Sequence, residues 1–193
     1  MPGVRPLFRY DFNSPYAYLA AERVDDVLGP DVEWQPIAFA FLLVAQQREP
    51  WSFDRHGERA PGIAECERRV AERGLPAMTW PDGWPRESYS ITPLRVALVA
   101  QEHGLLREYT HAAFARNFVS GSGLHGDAPL EIADEIGLDR AAVETGTDAA
   151  KERLKTVTDA AIAEGVPGVP TVTVGGEHFW GDDQLEAAAR AAG

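Results

Sequence analysis

The chain has 193 residues, 45% of them hydrophobic and 9% aromatic, enough apolar content to bury one core and too much for a disordered segment. With 18 basic against 30 acidic side chains the formal charge is −12, which argues against nucleic acid or an anionic membrane as the main partner. One cysteine, Cys66, allows no internal disulfide, and nowhere do about 18 consecutive apolar residues occur, so a cytoplasmic globule is expected.

From Leu7 to Phe12 large apolar side chains alternate with charged ones, the period of a half-buried strand. It runs into Asn13-Ser14-Pro15, where a serine hydroxyl can cap free N–H groups and proline at the first helical position loses no needed donor. A helix is predicted over 15–28, stopped by Gly29-Pro30, then a strand over 32–39 in which Pro36 points to an edge position. A short apolar helix over 41–46, a polar loop over 49–59 and a charged helix over 61–73 follow. The stretch 75–91, with Pro76, Pro81, Pro85, Trp80, Trp84 and Tyr89, is predicted as a loop too aromatic to be merely solvated.

Helices are predicted over 92–103, 106–118, 128–136 and 148–164, the last stopped by Gly165. Two strands about Gly175-Gly176, over 171–174 and 177–180, predict a β-hairpin, and Asp182 or Asp183 is placed to cap a last helix over 184–192. The order β-α-β, helices, β-β-α predicts an α/β thioredoxin fold with an all-helical insertion between its halves. Its N-terminal part is 1–60, the insertion 61–165 and the C-terminal part 166–193. The crossover makes the first two strands parallel and the hairpin adds an antiparallel pair, a four-stranded mixed sheet with the insertion walling a pocket.

Three stretches carry a resemblance: Asp11-Phe12-Asn13-Ser14-Pro15-Tyr16-Ala17-Tyr18-Leu19, Gly168-Val169-Pro170-Thr171, and Phe179-Trp180-Gly181-Asp182-Asp183-Gln184-Leu185. In this order they resemble the DsbA-like thioredoxin superfamily, in the branch holding 2-hydroxychromene-2-carboxylate isomerase and the kappa-class glutathione transferases. Where redox members have C-P-x-C this chain has Ser14-Pro15-Tyr16-Ala17, so dithiol exchange is excluded. The resemblance implies that Ser14 hydrogen-bonds the sulfur of bound glutathione. A helix N-terminus agrees with that role, since such settings lower a thiol pKa from about 8.5 to between about 3.5 and 7.5.

Val169-Pro170 resembles the cis-proline dipeptide, whose backbone pairs with the cysteinyl part of the thiol like an added strand. Asp182 and Asp183 fall where the family grips the glutamyl end of glutathione; Asp183 matches, whereas Asp182 is a departure that adds a carboxylate facing the ligand's own. The family's asparagine after the second strand is absent from Gln46-Gln47-Arg48-Glu49-Pro50-Trp51, where Gln47 or Arg48 is left to serve a thiol.

Tyr16, Tyr18, Trp51, Trp80, Trp84 and Trp180 are candidates for an aromatic substrate pocket, Tyr16 and Trp80 foremost. The scattered His56, His103, His111, His125 and His178 offer no metal set, and Cys66 reads as incidental on a surface helix. The resemblance thus implies an isomerase of aromatic unsaturated acids that uses glutathione or another low-molecular-weight thiol, with no metal, no nucleic acid, no membrane and a possible homodimer. Its alternatives are a kappa-like glutathione transferase and a non-catalytic thioredoxin-like protein binding a peptide or partner in the Val169-Pro170 groove.

Overall fold

The computed structural model describes residues 5–54, 56–88 and 90–193; the N-terminal Met1 to Val4 and Tyr89 of the aromatic loop lie outside them. Strand β1 (Leu7–Tyr10) leads into helices α1 (Pro15–Ala21) and α2 (Val24–Leu28), then strand β2 (Glu33–Pro36) and helix α3 (Phe39–Ala45). A short 3-10 turn (Trp51–Phe53) precedes α4 (Arg59–Glu72), and α5 (Ile91–Glu102), α6 (Leu106–Phe114), α7 (Ala128–Glu135) and α8 (Arg140–Ala163) follow. The chain closes with β3 (Thr171–Val174), β4 (Glu177–Trp180) and α9 (Leu185–Ala192).

The four strands lie in the order β2-β1-β3-β4, with β1 parallel to β2 and antiparallel to β3, as the crossover and the hairpin require. Pro36 is therefore on an edge strand, where its missing donor costs nothing. The hairpin turns through Gly175 and Gly176 at φ 58° and 90°, values that two residues with side chains would adopt only under strain.

Strand β1 departs from the half-buried expectation because it is central. Phe8 and Tyr10 pack with Trp34 and Phe114 on one face, and Arg9, on the other, is only 2% exposed. Its guanidinium is satisfied there by Gln35 at 3.1 Å, Thr173 at 2.9 Å and Glu164, beyond the end of α8, at 2.5 Å. A buried charge survives only with such partners.

Several element boundaries differ from the sequence reading: the strand expected over 32–39 ends at Pro36 and Phe39 already begins α3, and three further differences have visible causes. The first helix breaks at Glu22-Arg23, which re-aims α2 so that Val24 is buried and Arg23 pairs with Glu186 of α9. Helix α8 begins at Arg140, because Asp139 caps it through Ala141 N–H and Gly146 sits where a Cβ would lie 3.0 Å from Val99. The end of the helix expected over 106–118 is a π-helical turn, Ala115–Val119. Among the described residues no helix is long and apolar enough to cross a membrane.

Candidate active site

At the end of β1 the chain turns so tightly that Asp11, 1% exposed, receives the Asn13 N–H at 2.8 Å and the Phe39 N–H at 2.9 Å on its two carboxylate oxygens. One buried carboxylate thus joins the start of α1 to the start of α3. Burial raises its pKa, and the two N–H donors oppose that shift. The motif containing Asp11 was legible in the sequence, but its tie to Phe39 was not.

Ser14 follows as the N-cap of α1, accepting the Ala17 N–H at 3.2 Å on Oγ and donating to the Val169 carbonyl at 3.5 Å. The Val169–Pro170 peptide is cis. Among the described residues no hydrogen bond engages the N–H of Val169 or of Tyr16, so each of these neighbours of the serine contact keeps an unspent backbone donor. Pro170 C=O accepts from Gly181 N–H at 3.0 Å, which holds the end of β4, and hence Asp182 and Asp183, beside the same point.

These residues share a cavity of about 500 Å³, whose lining includes Ser14, Tyr16, Trp51, Trp84, Val169, Pro170, Asp182 and Asp183. Its aromatic wall is continuous: Tyr16 meets Trp51 edge-on at 5.9 Å, and Trp51 lies 5.8 Å from Trp84. Trp84 is fixed by an indole N–H bond to the Asn13 carbonyl at 3.2 Å. Trp80, expected on the wall, does not line the cavity. It packs behind Trp84 at 4.6 Å and spends its indole N–H on Glu67. Tyr18 is core, 2% exposed, whereas Trp180 reaches the cavity rim.

One face of α4 completes the site, and sequence reasoning missed it. Gly62, Cys66, Arg69 and Arg73 recur at helical spacing on that face. A Cβ on Gly62 would lie 2.2 Å from the Trp51 ring, so glycine is what lets the indole rest there. Cys66, expected on a surface, is fully buried, and burial is the main cause pushing its thiol up to about 12. Arg69 lies 5.4 Å over the Tyr16 ring and donates to Asp182 at 2.5 Å; Arg73 approaches the other Asp182 oxygen at 2.5 Å as an ion pair without hydrogen-bond alignment.

The extra carboxylate of Asp182 is thus answered by two guanidiniums and does not face the cavity as a bare charge. Neither aspartate caps α9, whose N-cap is Gln184, because Asp182 is committed to the arginines. Asp183 is 56% exposed, with Arg69 at 3.8 Å. Among the described residues no group of three His, Cys, Asp or Glu side chains is arranged to hold a metal.

The DSBA-like thioredoxin domain family matches residues 7–192. The chain belongs to that family. It is 39% identical over 194 residues to the 2-hydroxychromene-2-carboxylate isomerase of Pseudomonas sp. (strain C18), covering 96% of this chain and 89% of that one. Among solved structures it is similar to a 2-hydroxychromene-2-carboxylate isomerase, at 25% identity and a TM-score of 0.84, covering 96% of this chain and 93% of the other. A cytosolic disulfide reductase from Pseudomonas aeruginosa, solved with GSH, shares the fold at 15% identity and a TM-score of 0.64, covering 98% and 96%. Family membership therefore agrees with the serine-for-cysteine site: a thioredoxin-type scaffold whose Ser14-Pro15-Tyr16-Ala17 turn has no sulfur to exchange.

Proposed function

We propose that the protein is a thiol-dependent isomerase of aromatic unsaturated acids, of the 2-hydroxychromene-2-carboxylate isomerase type. The observation that carries this reading is the meeting of the Ser14 hydroxyl with the Val169 backbone beside an aromatic-walled cavity, in a chain similar along nearly its whole length to such isomerases.

Glutathione, or a thiol like it, fits the donor set. The Ser14 O–H is the side-chain donor at this point, and the N–H groups of Tyr16 and Val169, which make no hydrogen bond among the described residues, are left available to a sulfur anion. Of the aspartate pair, Asp183 is the one left to receive an ammonium, since Asp182 is neutralised by Arg69 and Arg73. A bound thiol supplies the nucleophile that adds across the conjugated double bond, so that rotation about the resulting single bond and elimination interconvert the isomers.

The chain's own residues do the rest. Ser14 gives up its long contact with the Val169 carbonyl and donates a hydrogen bond from its hydroxyl to the sulfur, favouring the thiolate over the thiol. The two backbone donors add fixed dipoles that need no reorganisation during the reaction. Tyr16, Trp51 and Trp84 exclude water and hold the aromatic ring of the acid, leaving its side-chain double bond toward Ser14.

Isothermal titration with glutathione at neutral pH, on the parent protein and on Ser14→Ala and Asp183→Ala, tests the assignment together with a chromene isomerisation assay. Binding heat lost in both variants supports it. No heat and no turnover with the folded parent would refute it.

A further inference from the structure

Among the described residues two arginines line the cavity, and their situations differ. Arg69 directs its donors to Glu65, Asp182 and, at 3.8 Å, Asp183. Arg48, on the turn after α3, gives its Nη1 donor to two uncharged acceptors instead, Gln46 Oε1 at 3.0 Å and the Pro167 carbonyl at 2.8 Å. Among the described residues no ion pair answers its charge, and its Nε and Nη2 donors make no hydrogen bond.

Arg48 is nonetheless held in place. Its guanidinium lies 5.3 Å over the Trp180 ring, and that ring is itself seated against Gly168, where a Cβ would come within 2.7 Å. Gln47 takes a left-handed φ of 53°, and Gln46 Nε2 donates to the Val166 carbonyl at 2.7 Å, so the turn is clamped to the loop that presents Val169. Arg48 adds to this clamp through Nη1 alone, which leaves its Nε and Nη2 donors uncommitted. A guanidinium fixed at one nitrogen keeps a planar two-donor edge that matches a carboxylate.

The charge setting gives such an edge a task. The chain carries −12 overall, and Glu58 and Asp183 line the same cavity. An approaching anion meets repulsion unless a cation stands at the mouth.

We propose that Arg48 is the carboxylate-binding residue of this cavity and determines its preference for acids. For the identity of its ligand this rests on the isomerase reading, in which both participants carry carboxylates: the aromatic acid and the thiol tripeptide.

The test follows tryptophan fluorescence as trans-cinnamate, or its uncharged amide, is titrated into the parent protein, Arg48→Ala and Arg48→Lys. A parallel pair compares glutathione with its glycyl ethyl ester. If Arg48 seats the aromatic acid, Arg48→Ala weakens cinnamate about tenfold or more, leaves the amide within about twofold, and Arg48→Lys restores part of the loss. If it seats the thiol's carboxylate, the same pattern appears with glutathione against its ester. Equal affinity of parent and Arg48→Ala for both acids, equal losses for acid and uncharged analogue, or no binding of any probe overturns the proposal. Arg48-dependent discrimination in a protein that turns over no chromene leaves the carboxylate site standing and removes the isomerase reading.

Discussion

The Ser14 hydroxyl and the Val169 carbonyl stand 3.5 Å apart although 155 residues separate them in the chain. That contact joins the first strand-to-helix turn to the loop before the third strand, and it exists because β1 and β3 are neighbours in the sheet. It brings a hydroxyl that is a helix cap by local chemistry against the loop that presents Val169 and Pro170.

Ser14→Ala separates its two tasks. Losing the cap costs about 1 kcal/mol of stability. Losing a donor aimed at developing charge costs on the order of a hundredfold in kcat, and steady-state kinetics beside a urea titration reads the two effects independently. Loss of stability with unchanged turnover would leave Ser14 a cap alone.

The two aspartates respond oppositely. Asp182 is 1% exposed between Arg69 and Arg73, so Asp182→Asn takes the ion-pair partner from Arg73, leaves Arg69 with Glu65 and Asp183, and destabilises by about 2–3 kcal/mol in chemical denaturation. Asp183→Asn, at an exposed position, changes stability by less than about 0.5 kcal/mol while weakening thiol binding measured by calorimetry.

Gly62→Ala is a probe of the aromatic wall. Alanine gains about 1 kcal/mol of helix propensity over glycine, yet its Cβ would stand 2.2 Å from the Trp51 ring, which must move. The expected result is a folded protein with altered tryptophan emission and a KM for the aromatic acid raised several-fold, because Trp51 is the link between Tyr16 and Trp84. An unchanged KM would remove Trp51 from the substrate wall.

Cys66 has a pH signature. Burial raises its thiol pKa from 9.0 to about 12 in the folded chain, so the native state holds this proton more tightly than the unfolded state does. The associated stability is fully present below pH 9 and is lost as pH rises from 9 toward 12. At pH 8 the native thiol should not react with a disulfide reagent on a timescale at which the urea-unfolded chain reacts completely. Fast labelling of the native protein would contradict its burial.

Much of the fold was legible in sequence because its signals are local. The Ser14-Pro15 helix start, the Gly175-Gly176 hairpin turn and Pro36 on an edge strand each follow from the backbone freedom of residues at or beside that point. The break of the first helix at Glu22-Arg23 did not, because it is set by packing of α2 on α9, far along the chain.

Sequence by itself determined the class of site: a serine where redox relatives have cysteine, next to a Val-Pro dipeptide and an acidic pair. The tertiary structure decided which residues complete it. Arg69 and Arg73 look like ordinary surface charges on a charged helix, and only the docking of α4 beside Tyr16 and Asp182 turns them into counter-ions for a buried carboxylate. Trp84 rather than Trp80 faces the cavity because its indole bonds the Asn13 carbonyl while Trp80 is drawn to Glu67. A residue's chemistry is written in its side chain, whereas its partners depend on chain segments brought together by burying a common core, and that is a property of the whole fold.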